Sequence, residues 1–312
     1  MKASAIAVSV ECAGLRLQVH PHVHRPWRFL LKVLLALAIL AAGGALTLSG
    51  DWRLAVAGIF IEGLVFAHML ELVHSCIHGT AFGARRADRI AGVLLGLPML
   101  VSFSDYRSNH LEHHRTLGKS EKKDFFGYEF EGMTTWLSFA RHLLMLGHYR
   151  NAAANMARAA TRWNWRKIPA AAFDSRLEHL LMALWLLVPL AALLSGRAGP
   201  FLVLVLPCLV AIPCHVLIEL PEHWRCPPVD DPLVHTRSIS ASRLATWFTN
   251  GNNYHLEHHL CPWLPNGALR GLHLKLRAHA VHYQSSYFRF YMEVFRSLRF
   301  RRQQSAAVAM HD

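Results

Sequence analysis

Four apolar stretches limit what this chain can fold into: Leu30–Leu48, Leu54–Val73, Leu177–Leu194 and Phe201–Leu220. Each approaches the ~20 residues whose helical rise covers the ~30 Å of hydrocarbon in a bilayer. The turns Ser49–Arg53 and Gly196–Pro200 are too short for anything but two helical hairpins. A fifth apolar stretch, Ile90–Phe103, has 14 residues with Pro98 inside. It is expected to lie in the interface or re-enter, not to span.

The two hairpin turns hold only Arg53 and Arg197 of the 33 Lys and Arg. Basic residues mark the cytosolic side of a membrane protein. Arg25, Arg28 and Lys32 flank the first span, Arg85, Arg86 and Arg89 follow the second, Arg176 precedes the third and Arg225 follows the fourth. Both termini are therefore expected in the cytosol, at the bacterial inner membrane in preference to the endoplasmic reticulum. Residues 1–25 show neither the short apolar core nor the cleavage site of a secretory signal, so nothing is expected to be removed.

The composition is 53% hydrophobic and 17% charged, with mean hydropathy +0.22, which suits a protein divided between membrane and aqueous cap. A formal charge of +13 and a pI near 9.9 fit a face lying on anionic lipid or docking an acidic partner. No nucleic-acid fold signature accompanies the basic residues, so nucleic acid is not an expected partner. Six cysteines form no C-x-x-C pair, which points to free thiols and away from a structural zinc module.

Chemistry enters with three histidine clusters: His74-x-x-x-His78, His110-x-x-His113-His114 and His255-x-x-His258-His259. A single i,i+4 pair arises easily by chance among 22 histidines. Finding His-x-x-His-His twice beside His-x-x-x-His, all near the ends of apolar spans, points to a metal site. Residues three and four apart share a helix face, so each cluster can aim two or three ring nitrogens at one point. Imidazole suits iron, zinc and copper alike. Eight imidazoles exceed the needs of one tetrahedral or octahedral ion, and two redox-active irons with positions left for molecular oxygen fit better than closed zinc sites.

The expected fold is an all-α integral membrane protein with four transmembrane helices in two hairpins and a cytosolic helical cap holding the two metals. Residues 1–312 form one domain: an amino-terminal arm without sustained periodicity (1–25), the cap (74–176 and 221–300) and a tail (301–312). Within the cap, Trp136–His148 reads as an amphipathic segment on the membrane surface, and Leu269–Phe300 reads as helical and basic. The fourth span carries Pro207 and Pro213, with Pro221 just beyond it, each tending to kink a helix.

The boxes His74-Ser-Cys-Ile-His78, His110-Leu-Glu-His113-His114 and Asn252-Asn253-Tyr254-His255-Leu256-Glu257-His258-His259, taken in order between apolar stretches, resemble the membrane fatty acid desaturase superfamily of His-box di-iron oxygenases. The resemblance covers most of the chain. It implies two iron ions as cofactor, molecular oxygen as co-substrate and desaturation of a fatty acyl chain carried by lipid, coenzyme A or acyl carrier protein. It implies a ninth ligand between the last span and the third box, for which His223 is the candidate. Glu219, one turn earlier, is placed to hold a metal-bound water. His215, another turn back, reads as a buried polar residue of the bundle.

Ser75 departs from the family's usual Asp in the first box. Glu71, Glu112, Glu257 and Asp124 are the carboxylates available to partner ligating histidines. Glu71-Leu-Val-His74 also matches the Glu-x-x-His pattern of soluble di-iron bundles. Glu62, deep in the second span, reads as a structural partner inside the bundle. The chain contains no haem-binding His-Pro-Gly-Gly and no Cys-rich ferredoxin segment, so a separate ferredoxin or cytochrome with its reductase is the expected electron donor. Hydroxylation or ketone formation on the same scaffold, a zinc-dependent membrane hydrolase and a metal transporter are the alternatives.

Overall fold

The computed structural model describes residues 8–12, 15–19, 25–117, 125–126, 133–161 and 170–308. The chain forms two compact units. One comprises His24–Glu112 with Leu146–His215; the other comprises Met1–Val23, His113–Met145 and Val216–Asp312. In chain order the elements are β1 (Val8–Cys12), β2 (Leu15–Val19), α1 (Pro26–Thr47), α2 (Trp52–Ile77), α3 (Arg85–Gly96), α4 (Phe103–Thr116), α5 (Trp136–Leu143), α6 (Leu146–Thr161), α7 (Ala170–Leu194) and α8 (Gly199–Leu204). There follow α9 (Cys208–His223), α10 (Pro232–His235), β3 (Arg237–Ile239), α11 (Arg243–Phe248), α12 (His255–Leu260), α13 (Asn266–Leu276), β4 (His282–Gln284) and α14 (Tyr287–Val308).

Among the described residues, four segments are long and apolar enough to cross a membrane: Pro26–Thr47, Trp52–Ile77, Asp174–Leu194 and Gly199–His223. In the first unit, α1 and α2 pack as a hairpin. Asp51 starts α2 by accepting from the backbone N–H of Arg53 at 2.8 Å and of Leu54 at 3.4 Å, so the side chain replaces missing helical acceptors. Leucines 30, 31, 34, 35 and 37 of α1 remain exposed, as a lipid-facing surface requires. The second half of α2 is buried on every side from Val65 to Ile77, although it carries His68, Glu71 and His74. A carboxylate and imidazoles placed so deep require polar partners.

The expectation for Ile90–Phe103 meets a break. The helical pair Arg85–Met99 and Phe103–Thr116 bends by 101°, with Leu100 at φ 55° between them. Pro98 cannot donate to the preceding turn, and the left-handed Leu100 turns the chain. The fourth apolar stretch is likewise interrupted: α8 ends at Leu204 and α9 starts at Cys208, with Pro207 in the gap. In α7, Pro189 is accommodated within the helix.

Among its described residues, the second unit departs from an all-α reading in two places. Val8–Cys12 and Leu15–Val19 form an antiparallel hairpin in register Val8↔Val19, within the segment read as an arm without periodicity. The short strands β3 and β4 pair in parallel, Arg237 opposite His282. That pairing also divides the continuous helix expected over Leu269–Phe300 into α13 and α14. Met133, Phe139, Leu220, Trp224, Ile239 and Phe290 form one buried core of this unit. Tyr254, Cys261, Leu264, Leu269, Leu272 and Leu276 form another, which packs α13 against α12.

Candidate metal centre

In the first unit, His74 and His78 leave the end of α2 on one face, as their four-residue spacing dictates. Arg107 of α4 donates from Nε to the Ile77 carbonyl at 3.2 Å, capping that helix end. Asp88 accepts from the Phe82 backbone N–H at 2.7 Å and holds the turn that follows. The other wall is α4, whose amino end is gripped by the buried Glu178 of α7. That carboxylate accepts from the Ser102 hydroxyl at 2.8 Å, the Ser104 N–H at 2.9 Å and the Ser104 hydroxyl at 2.7 Å. His110 Nε2 then lies 2.9 Å from His74 Nε2 and 3.0 Å from His78 Nε2.

In the second unit, His113, His223, His255 and His259 bring their ligand nitrogens within 4.8 Å of one another. His223 Nε2 is 3.1 Å from that of His113 and 2.9 Å from that of His255, and His259 Nε2 is 3.0 Å from His255. His114 and His258 pair through Nε2 at 2.9 Å, and the rings of His114 and His259 stack at 4.1 Å. Box two is thus divided between the units: α4 through Glu112 belongs to the first, and His113 and His114 to the second.

Hydrogen bonding does not account for these approaches. One Nε2 carries either one in-plane proton or one lone pair, yet His110, His223 and His255 each face two neighbours through that atom. A shared cation does account for them. With imidazole–metal bonds of ~2.0–2.1 Å, ligands at right angles sit roughly 2.9 Å apart and tetrahedral ones roughly 3.3 Å. The observed 2.9–3.1 Å is close to the spacing that a shared ion imposes on its ligands.

Protonation is set for ligation as well. Burial, followed by the neighbouring His74 and Arg107, holds His78 well below the ordinary imidazole range. Burial, followed by His114, His255, His113 and His223, does the same for His259. Neutral imidazole is the form that binds metal.

Partners on the far ring nitrogens fix orientation. His223 Nδ1 lies 3.0 Å from the His235 carbonyl oxygen, and His255 Nδ1 lies 3.2 Å from Glu222 Oε2. Glu257, fully buried, takes the Ser238 hydroxyl at 2.5 Å and His273 Nδ1 at 2.8 Å. Asn253 ties the loop before α12 to β3 by donating to the Ile239 carbonyl at 2.8 Å. Glu222, His273 and Ser238 are absent from the residues singled out in the sequence. Glu222 has a local signal, a carboxylate adjacent to His223, whereas His273 and Ser238 reach Glu257 from other elements.

Of the remaining expected carboxylates, Glu71 lies 3.2 Å from His215 Nδ1, both side chains almost wholly buried. Glu112 and Glu219 are half-buried on α4 and α9. Asp124 lies outside the described residues. Glu62 does take a bundle partner: the Thr47 hydroxyl donates to it at 2.6 Å. Cys76, Cys208, Cys214, Cys226 and Cys261 are free thiols.

Residues 50–291 match a family model described as fatty acid desaturase. The chain is 28% identical over 230 residues to the sphingolipid delta(4)-desaturase/C4-monooxygenase DES2 of Rattus norvegicus, covering 69% of this chain and 64% of that one. It is 40% identical over 77 residues to the sphingolipid delta(4)-desaturase DES1 of Drosophila melanogaster, 23% of each chain. It is 29% identical over 115 residues to a temperature-sensitive sn-2 acyl-lipid omega-3 desaturase (ferredoxin) of Arabidopsis thaliana, 36% of this chain and 26% of that one. The matched stretch spans less than two thirds of the length of each of these relatives.

Proposed function

Since this chain belongs to the fatty acid desaturase family, we propose that it catalyses oxygen-dependent desaturation of a fatty acyl chain at two irons held by nine histidines. His74, His78 and His110 supply ligands to one ion, His113, His223, His255 and His259 to the other, and His114 and His258 complete the set. The observation that carries the reading is the convergence of Nε2 atoms at 2.9–3.1 Å, several of them facing two neighbours at once. When bound, the irons would supply oxygen activation and removal of hydrogen from two adjacent unactivated carbons.

The protein's own part is to bind, orient and stay deprotonated. His78 and His259 are held neutral by burial. Glu222 and the His235 carbonyl fix the rings of His255 and His223. The acyl chain is carried by a membrane lipid, coenzyme A or acyl carrier protein, and the electrons come from a separate ferredoxin or cytochrome with its reductase. The distribution of basic residues supports a centre on the cytosolic side of the membrane, with both termini beside it.

Hydroxylation is the second reading, favoured by one relative whose name joins a desaturase to a C4-monooxygenase. Purified, iron-loaded protein incubated with acyl substrates under isotopically labelled oxygen separates the two. Desaturation gives an unlabelled olefin and labelled water, whereas label in the lipid product assigns hydroxylation. His110→Ala, His223→Ala and His258→Ala are each expected to abolish turnover and lower bound iron. Active protein holding zinc and no iron would sink both readings in favour of a hydrolase.

A further inference from the structure

Helix α13 lies directly against the third histidine box within the second unit. Its inner face, Leu269, Leu272, His273 and Leu276, is buried. On its outer face Arg270, Leu274 and Arg277 are exposed, one turn apart along a single stripe, with Leu274 59% exposed. A helix with its side chains is ~10 Å across, so one helix thickness covers the box from solvent.

The two faces are joined by packed polar and aromatic groups. His273 sits beside Leu274 in sequence and holds Glu257 of the box at 2.8 Å. The His273 ring lies 4.8 Å from that of Tyr254, the residue before His255, and 5.7 Å from that of Tyr283 on β4. The Tyr283 hydroxyl meets the Ser240 hydroxyl at 2.8 Å, and Ser240 faces His273 Nε2 at 3.4 Å. A continuous contact path therefore runs from the outer face to the backbone of the box.

Charge along this part of the sequence has one sign. From His258 to Met292 the sequence holds Arg270, Lys275, Arg277 and Arg289 and not one Asp or Glu. All four are exposed. Among the described residues, no carboxylate pairs with Arg270 or Arg277. Arg270 and Arg277 on either side of the exposed Leu274 suit a small acidic protein that must approach, deliver and leave: charge steers the encounter and a small apolar centre seats it.

We propose that the outer face of α13 is the docking surface for an acidic one-electron donor protein, and that electrons enter the third box through His273. This rests on the desaturase reading. Two dockings oxidise two donor molecules by one electron each. With O2 and two protons, those two electrons convert R–CH2–CH2–R to R–CH=CH–R and two waters.

The test compares the unaltered protein with Arg270→Glu/Arg277→Glu in detergent, using a plant-type [2Fe–2S] ferredoxin and a soluble cytochrome b5, each with its reductase. Donor KM and turnover are measured across an ionic-strength series. Surface-plasmon binding of each donor to metal-free protein gives a second readout. The expected result is a rise of about tenfold or more in donor KM and Kd, with a shallower salt dependence, while turnover driven by dithionite and methyl viologen is unchanged. Equal KM in both proteins, or no reduction by either acidic donor, overturns the proposal. Loss of binding to phosphatidylglycerol vesicles with donor KM unchanged also overturns it and assigns the face to lipid. Absence of any product from the unaltered protein under the chemical reductant overturns the desaturase reading itself.

Discussion

The Tyr291 hydroxyl of α14 donates to the Leu217 carbonyl at 2.5 Å, and Leu217 is the acceptor that Pro221, four residues on, cannot use. A proline there would ordinarily end α9, yet the helix continues to His223. The tyrosine replaces the missing backbone donor and so holds the last turn, which carries Glu222 and His223. Tyr291→Phe leaves that carbonyl without its donor, at about 1–3 kcal/mol. A lower melting temperature in detergent and a weaker hold on metal are expected together. An unchanged melting curve would show that α9 keeps its end unaided.

The Glu257–His273 contact predicts a graded pair of variants. His273→Ala leaves a fully buried carboxylate with Ser238 as its remaining hydrogen-bond partner, whereas Glu257→Gln removes the charge and keeps the shape. Groups that orient ligating histidines typically contribute 10–100-fold in metal affinity, so a loss of roughly that size is expected for His273→Ala, with Glu257→Gln milder. Titrating metal-free protein with Co2+ and following its visible bands measures this without turnover. Equal affinities in all three proteins would show that the contact stabilises only the fold.

Much of this is legible from sequence because two signals are local. Runs of apolar residues mark the spans whatever surrounds them, and spacings of three and four fix which histidines share a face. The break at Pro207 is harder to place, since a proline in an apolar run either kinks a helix, as Pro189 of α7 is tolerated, or ends it. Residues 8–19 carry a signal that the reading of an arm without periodicity misses. Val8, Val10 and Cys12, then Leu15, Leu17 and Val19, alternate with polar residues across Ala13-Gly14, the pattern of a hairpin. Ser238, His273 and Glu178 are invisible for a different reason. Each is an ordinary polar residue until tertiary packing brings it to a carboxylate or a helix end from another element.

Close packing within the first hairpin makes Gly58 unreplaceable. A Cβ there would collide with Thr47 Oγ1 and lie 2.5 Å from the Gly43 carbonyl oxygen, and the latter is backbone that cannot swing aside. Gly58→Ala must therefore part α1 from α2 and disturb the Thr47–Glu62 hydrogen bond, at about 1–3 kcal/mol. A Cβ at Gly147, in α6, would meet nothing within 4 Å, so Gly147→Ala is expected to be neutral or to stabilise by roughly 0.5–1 kcal/mol. Thermal melting in detergent checks both. Similar shifts for the two variants would mean the hairpin is looser than these distances require.

His148 on α6 gives a pH dependence of known sign. Its ring is buried, with Nε2 3.3 Å from the Met99 carbonyl oxygen. Burial lowers its pKa from the ordinary 6.5 to about 4; the backbone of Met99 and Leu100 opposes the shift, and nearby His215 and His179 add to it. The folded protein therefore binds this proton less readily than the unfolded chain, so stability is lost as pH falls below 6.5 and the loss levels off near 4. At ~1.4 kcal/mol per pH unit, the full effect is about 3 kcal/mol. His148→Gln keeps a donor for Met99 without titrating, so the difference between the two proteins reports His148 together with its coupling to His215 and His179. Melting curves in detergent from about pH 7.5 to about pH 4.5 should diverge as the medium becomes acidic, the unaltered protein losing more. Parallel curves would show that His148 takes up its proton as freely folded as unfolded.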